Sequence, residues 1–316
     1  MLEVLSITGP IFAVIAVGYA AVRLRWFSKP DIRVIGKFVM SFALPSLLFK
    51  ALSQRSFGEI MNAGYLAAYA LGSIAVMAAG IGIAYFWQKR SLQVSALNGL
   101  GMSVSNSGFI GYPIVLQLLG PPAAVALALT LTVENVLMIP LALSLAEAAS
   151  AGGQKGRAHT LIIASFSRLL HNPLILAIVA GMAVALLGIH LPQSLARAVD
   201  MFAVASGAGA LFVIGGTLVG LKPANMLGDM ARIGAGKLLL HPLAVFGAFM
   251  LLPPVDTTLR MAAVTFACMP MLSIYPILAQ KYGEEEGCAA ALLATTLASF
   301  ASISAGIWAM HLVFQQ

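Results

Sequence analysis

The sequence predicts an all-α polytopic membrane protein, with ten transmembrane helices arranged as two inverted five-helix repeats. Three observations lead there. The chain is 60% hydrophobic and only 9% charged, against about 25% charged residues in a soluble domain, so its polar surface is too small to cover a soluble fold. Apolar stretches of helical spanning length follow one another from end to end. Finally, the string Tyr112-Pro113-Ile114-Val115-Leu116-Gln117-Leu118-Leu119-Gly120 returns as Tyr275-Pro276-Ile277-Leu278-Ala279-Gln280-Lys281-Tyr282-Gly283, with five of nine positions identical.

The apolar segments run over roughly 4–24, 34–52, 61–87, 92–118, 123–146, 169–189, 199–221, 232–252, 259–281 and 288–314. Their length favours a helical bundle over a barrel. No soluble domain fits between them. The longest polar connection, near 147–168, carries Gly152, Gly153, Gln154, Lys155, Gly156 and Arg157 and reads as a flexible linker. It separates a first repeat, 1–147, from a second, 169–316, with 148–168 as a cytoplasmic linker.

The formal charge of +7 raises the question of nucleic-acid or anionic partners, and the placement of the charges answers it. With ten spans, all of the 18 Lys and Arg except Lys50, Arg55, Arg197 and Arg260 fall on one side. The cluster Arg23 to Lys37 is then an orientation signal, not a ligand patch. The positive-inside rule places it in the cytoplasm and both termini on the outer, periplasmic side of a cytoplasmic (inner) membrane. The expected partners are the lipid bilayer and a small solute, with no nucleic acid. The N-terminus does not read as a signal peptide, since it lacks a positive n-region and its first charge is Glu3. Two cysteines, Cys268 and Cys288, give no metal or disulfide framework, and no cofactor is expected beyond Na⁺ or H⁺ coupling.

The repeat has a geometric consequence. At the same spacing, Pro10 maps to Pro173, Gly18 to Gly181, Phe49 to Phe212 and Leu129 to Leu292. Helix-breaking residues match best, where backbone geometry is most restrictive. An odd number of spans per half inverts the second half relative to the first. In such folds substrates bind near the midplane, at discontinuous helices whose half-helix N-termini offer positive dipole ends. Here the fourth and ninth segments are the expected broken helices, interrupted near Pro113 and Pro276 and crossing in the middle of the bundle.

The fourth segment holds Ser103, Ser105, Asn106, Ser107, Gly111, Tyr112 and Pro113. The functional reading is an unwound stretch whose amides, hydroxyls and Asn106 side chain hold a polar ligand. The alternative is close packing of small residues against a neighbouring helix. In the ninth segment Pro270 and Pro276 interrupt the backbone, and Ser273, Tyr275 and Pro276 are its candidate ligands; a structural kink is the alternative. Glu134 and Asn135 are candidates for ion coupling. Glu134 is the acid most clearly inside a span, and an ionised acid there must pair, protonate or bind a cation. Its repeat equivalent is Leu297, so a protonated structural role stays open. Lys237, His241 and Asn172 are candidate substrate or charge partners, with snorkelling of Lys237 to the interface as the alternative. Ser206 to Gly220 reads as a close-packing face.

Nothing suggests an enzyme: there is no Gly-x-Ser-Gly nucleophile signature, no His-Glu-x-x-His and no pair of intramembrane aspartates. A channel is a rival, since broken helices also suit conduction, but no ring-forming or hydrophobic-gate pattern stands out. The leading reading is a secondary transporter of a small organic anion, with an anion channel or a Na⁺/H⁺-coupled symporter of another small solute as the alternative.

The ten-span layout, together with Asn106-x-x-x-x-Gly111-x-Pro113 and the Pro270…Ala279-x-x-Tyr282-Gly283 run, resembles the auxin efflux carrier family. That family includes the plant PIN auxin transporters and bacterial malate or malonate permease-like proteins, and the resemblance covers essentially the whole chain. It implies a fold like that of the bile acid sodium symporters. The first, second, sixth and seventh helices would form a scaffold and a homodimer face, and the third to fifth and eighth to tenth a transport domain containing the crossovers. It further implies export or exchange of organic anions, auxin-like or malate-like, by an elevator mechanism. Asn106 matches the asparagine that binds substrate carboxylate in the plant carriers, and Pro113 and Pro276 match crossover positions. The chain departs from bacterial relatives at Ile274, often an asparagine there, and at Pro276, frequently not proline.

Overall fold

A computed structural model describes residues 2–54, 62–150, 171–220, 227–280 and 282–314. The described residues are overwhelmingly helical, and their one β feature is an isolated bridge. In chain order the helices are α1 (Leu2–Arg23), α2 (Lys29–Ser53), α3 (Ala63–Trp87), α4 (Leu92–Ser103), α5 (Ser107–Leu119), α6 (Pro122–Glu147), α7 (Pro173–Leu187), α8 (Gln193–Leu218), α9 (Met230–Leu251), α10 (Thr257–Ala267), α11 (Tyr275–Gln280) and α12 (Glu285–Phe314). Among the described residues six helices, α2, α3, α6, α8, α9 and α12, are long and apolar enough to cross a membrane. Of the other expected segments, the first and sixth hold shorter apolar helices, Phe12–Arg23 and Pro173–Leu187, and the fourth and ninth are each divided in two. Of the expected linker, 151–168 lies outside the described residues.

Helix starts follow local chemistry. Ser28 and Asp31 form a capping box ahead of α2, satisfying two backbone donors reciprocally. The Asp256 carboxylate accepts from Thr258 N at 2.9 Å and Leu259 N at 3.2 Å to open α10, and Ser91 caps α4 through Val94 N. Gly188, at φ 61, ends α7 in the left-handed conformation that glycine adopts without strain.

Four prolines inside the helices are each preceded by a widened turn. Besides Ile83–Trp87, which no proline follows, single π turns cover Val39–Ala43, Ser107–Gly111, Val133–Met138 and Gly236–Leu240. These last four each end two residues before a proline: Pro45, Pro113, Pro140 and Pro242. A proline lacks the N–H of the regular helix and its ring collides with the preceding turn; a π turn at that point accommodates both and is frequent at functional sites. These turns set the local geometry of Ser107, Glu134 and Lys237.

Contacts divide the chain into two compact units. The first is Met1–Ala63, Ser107–Leu129 and Leu170–Gly220; the second is Gly64–Asn106, Thr130–Leu169 and Leu221–Gln316. Inside the first unit, Gly18 of α1 packs on the backbone of Phe212 in α8, and Gly181 of α7 packs on the backbone of Phe49 in α2. The sequence repeat relates these residues: Gly18 to Gly181 and Phe49 to Phe212. Both contacts therefore join one of the glycines that the repeat spacing pairs to one of the phenylalanines that it pairs.

α1 and α8 meet most closely at Gly215, where an added Cβ would strike the backbone of Ile15 and lie 2.7 Å from Tyr19 N. Backbone cannot move aside as a flexible side chain can. Gly215→Ala is expected to destabilise the protein by about 1–3 kcal/mol, read as a lowered melting temperature in detergent. Gly247→Ala, with nothing within 4 Å of the new methyl, should leave it unchanged. Equal behaviour of the two variants would contradict this packing.

Candidate functional site

The site is built where α4 stops. Beyond Ser103 the backbone turns extended, with Val104 at φ −117 and ψ 134. Ser105 then forms an antiparallel bridge with Met271, and Asn106 N donates to Pro270 O at 2.8 Å. Pro270 and Met271 belong to the gap between α10 and α11, so within the second unit the two interrupted stretches touch. Backbone groups freed at membrane depth need such partners, because hydrocarbon supplies none. The interruptions therefore lie at 104–106 and 268–274, upstream of where the repeat string suggested. Pro113 follows a π turn and Pro276 sits in the first turn of α11, a position where the missing N–H is of least consequence.

A buried polar network surrounds Ser105. Its backbone N–H donates to Glu134 Oε1 at 3.1 Å, and the Tyr69 hydroxyl donates to the same oxygen at 3.0 Å. Its hydroxyl accepts from Lys237 Nζ at 2.9 Å. Lys237 further reaches Ala267 O at 2.8 Å and His241 Nδ1 at 2.7 Å, so an ammonium places all three protons on protein acceptors. Nδ1 then accepts, which leaves Nε2–H of His241 to donate to Ser73 Oγ at 2.9 Å. The Tyr65 and Thr130 hydroxyls, 2.7 Å apart, extend the network along α3 and α6. Lys237 and His241 are 0% exposed and Glu134 2%, so Lys237 does not snorkel. Burying an acid or a base alone at membrane depth is costly; here Glu134 and Lys237 are held on either side of one serine, each hydrogen-bonded to it.

The remaining predicted residues separate. Asn106 is 4% exposed and Ser107 is buried beside it in the chain. Ser103 turns its hydroxyl back to Gly99 O at 2.8 Å. Tyr275 lays its ring against Gly101 and donates to Leu97 O at 3.0 Å, binding the two interrupted helices together. Ser273 is half-buried in the gap before α11. Asn135 donates to Leu131 O at 2.9 Å, one turn earlier in its own helix. In the first unit, Asn172 caps α7 by accepting from Leu174 N at 3.0 Å. Gly111 is a buried helical residue there, and Tyr112 and Pro113 line a cavity of about 800 Å³ with Lys50 and Gln117.

The sequence reading missed Tyr65, Tyr69 and Ser73. Their signal was present: they recur at i, i+4 and i+8 in an otherwise apolar span, which places them on one helix face.

Comparison with known proteins identifies the family of the chain. A family model described as "Membrane transport protein" matches residues 7–308. The chain is 29% identical over 306 residues to the "Putative malonate transporter" of Rhizobium meliloti (strain 1021), covering 96% of this chain and 95% of that protein. It is 24% identical over 305 residues to the "Uncharacterized transporter YfdV" of Escherichia coli (strain K12), covering 95% and 94% respectively. Shigella flexneri has a relative of the same name at the same identity. These relatives are transporters, not enzymes. The nearly end-to-end family match establishes that the chain belongs to the membrane transport protein family, that of the auxin efflux carriers, and is itself a membrane transporter.

Proposed function

We propose that this transporter is a secondary carrier of a small organic anion, a mono- or dicarboxylate, which binds at the interrupted helix beside Ser105 and Asn106. The observation that carries the proposal is the meeting of two interrupted helices, Ser105 with Met271, against a buried Lys–Glu network. Discontinuous helices at membrane depth are where transporters of this general kind hold their substrates. The name of the Rhizobium relative supports a carboxylate. Lys237, with its three protons committed to Ser105, Ala267 and His241, acts here as the charge partner of Glu134 that fixes the break. The Asn106 side-chain amide is the proposed carboxylate ligand, with the backbone N–H groups of Ser105 and Asn106 already committed to holding the break.

The proposed architecture is a ten-span inverted repeat in an inner membrane with both termini outside. The repeat-related Gly–Phe contacts and the distribution of Lys and Arg support it. The scaffold consists of the first, second, sixth and seventh spans, which all fall in the first compact unit, and it also forms the homodimer face. The second unit carries the Ser105–Asn106 site, and its movement across the bilayer supplies elevator-type alternating access.

A thermal-shift screen of mono- and dicarboxylates, with and without Na⁺ and across pH, followed by counterflow in proteoliposomes, tests the reading. Saturable exchange of a carboxylate is expected. Single-channel conductance without saturable exchange would favour an anion channel instead. Glu134→Gln is expected to alter the pH or Na⁺ dependence of that exchange, because it removes the acid that balances Lys237. An unchanged profile at full rate would make Glu134 structural.

A further inference from the structure

The first compact unit encloses the cavity of about 800 Å³ noted above, a volume in the range of small-molecule sites. Its wall is mostly apolar, drawn from α1, α2, α5 and α8. Polar lining comes from Lys50, Gln54, Tyr112, Gln117 and Ser206, and Ser206 already donates to Ala203 O at 2.7 Å. Among the described residues lining it, Lys50 alone is charged. Lys50 Nζ is held 2.8 Å from Asp200 Oδ1, and Asp200 is not part of the cavity wall. Both side chains are partly exposed, at 37% and 48%.

We propose that this cavity is a vestibule for small carboxylates, that Lys50 is the residue selecting anions there, and that Asp200 is a built-in competitor occupying Lys50 when the vestibule is empty. The inference rests on the anion-carrier reading given above. Released from Asp200, Lys50 puts a positive charge on a mostly apolar wall, which focuses field lines and raises the local concentration of anions. Gln54 and Gln117 supply neutral amide donors on the same wall. An exposed ion pair contributes only about 0–1 kcal/mol, so a carboxylate entering the cavity displaces Asp200 at small cost. The cavity lies at the C-terminal ends of α2 and α5, on the side that the distribution of Lys and Arg assigns to the exterior. Lys50 itself is one of the few cations on that side.

The sign of each charge's effect on anion access to the cavity tests the proposal, whereas stability would fall whichever end of the pair is removed. Here Asp200→Asn frees Lys50 and Lys50→Gln removes it, so the two variants shift anion recognition in opposite directions. The first measurement does not depend on flux. Gln117→Cys places a thiol on the exposed cavity wall, while native Cys268 and Cys288 are buried. The ratio of modification rates by an anionic sulfonatoethyl and a cationic trimethylammonioethyl methanethiosulfonate is then read in membrane vesicles. Asp200→Asn is expected to raise the anionic-to-cationic ratio roughly threefold and Lys50→Gln to lower it by a similar factor, with Lys50→Arg near the parent. In counterflow, the same pair should lower and raise KM up to about fivefold, the equivalent of 1 kcal/mol, with the maximal rate little changed. Equal ratios in all variants, or shifts of the same sign, overturn the vestibule. Absence of any carboxylate exchange by the parent protein overturns the anion-carrier reading, while the thiol ratios still decide whether Lys50 sets the cavity's selectivity.

Discussion

Replacing Lys237 with methionine is expected to lower stability by about 3–5 kcal/mol, the range found when one partner of a buried charge pair is removed, and to abolish transport. Methionine approximates the volume of the lysine stem, so the loss is electrostatic and not a cavity effect. The substitution strands the Ser105 hydroxyl, the Ala267 carbonyl and His241 Nδ1, each of which accepts from Nζ. It also leaves Glu134 without the opposite charge that balances it across Ser105. Glu134→Gln should destabilise for the reciprocal reason. The double variant, which removes both charges, should be more stable than the sum of the single effects predicts, because neither charge is left alone. A double-mutant cycle of detergent-solubilised protein, followed by thermal or denaturant unfolding, measures this. Strictly additive losses would show that the two residues are independent and that Ser105 does not join them.

Asn106→Ala should leave the fold in place and remove substrate recognition. The interruption is held at this residue by its backbone, through the bond from Asn106 N to Pro270 O, and alanine keeps that donor. Ser105 keeps its bridge to Met271 and its contacts with Glu134 and Lys237. What disappears is the amide side chain. A hydrogen bond to a charged group contributes about 1.5–3 kcal/mol, so the affinity for a carboxylate should fall roughly ten- to hundredfold. An unaltered melting temperature alongside that loss separates recognition from folding.

The interrupted helices were legible in the sequence because proline, glycine and small polar residues are conspicuous among Ala, Leu and Val. Their positions were read less well. The repeated Tyr-Pro-Ile string drew the break to Pro113 and Pro276, whereas proline tolerates a π turn before it or a first helical turn around it. The backbone parts instead at Val104–Asn106, where successive polar residues find partners across the gap. Glu134 and Lys237 were each recognisable as charges too deep to be casual. That both converge on Ser105 was not recognisable, because it depends on how α4, α6 and α9 pack together. Asn172, a polar residue before an apolar run, caps α7, a role that the same sequence position also suits. Lys50 and Asp200, far apart in sequence, carried no signal beyond their charge.

The central claim is that this transporter exchanges a small carboxylate held by the Asn106 break. The direct measurement is counterflow of labelled malonate and malate into proteoliposomes carrying the parent protein or Asn106→Ala, matched for melting temperature and protein content. The account predicts saturable, substrate-dependent exchange by the parent and little above background in the variant. Equal exchange by both proteins, with the same KM, would contradict it.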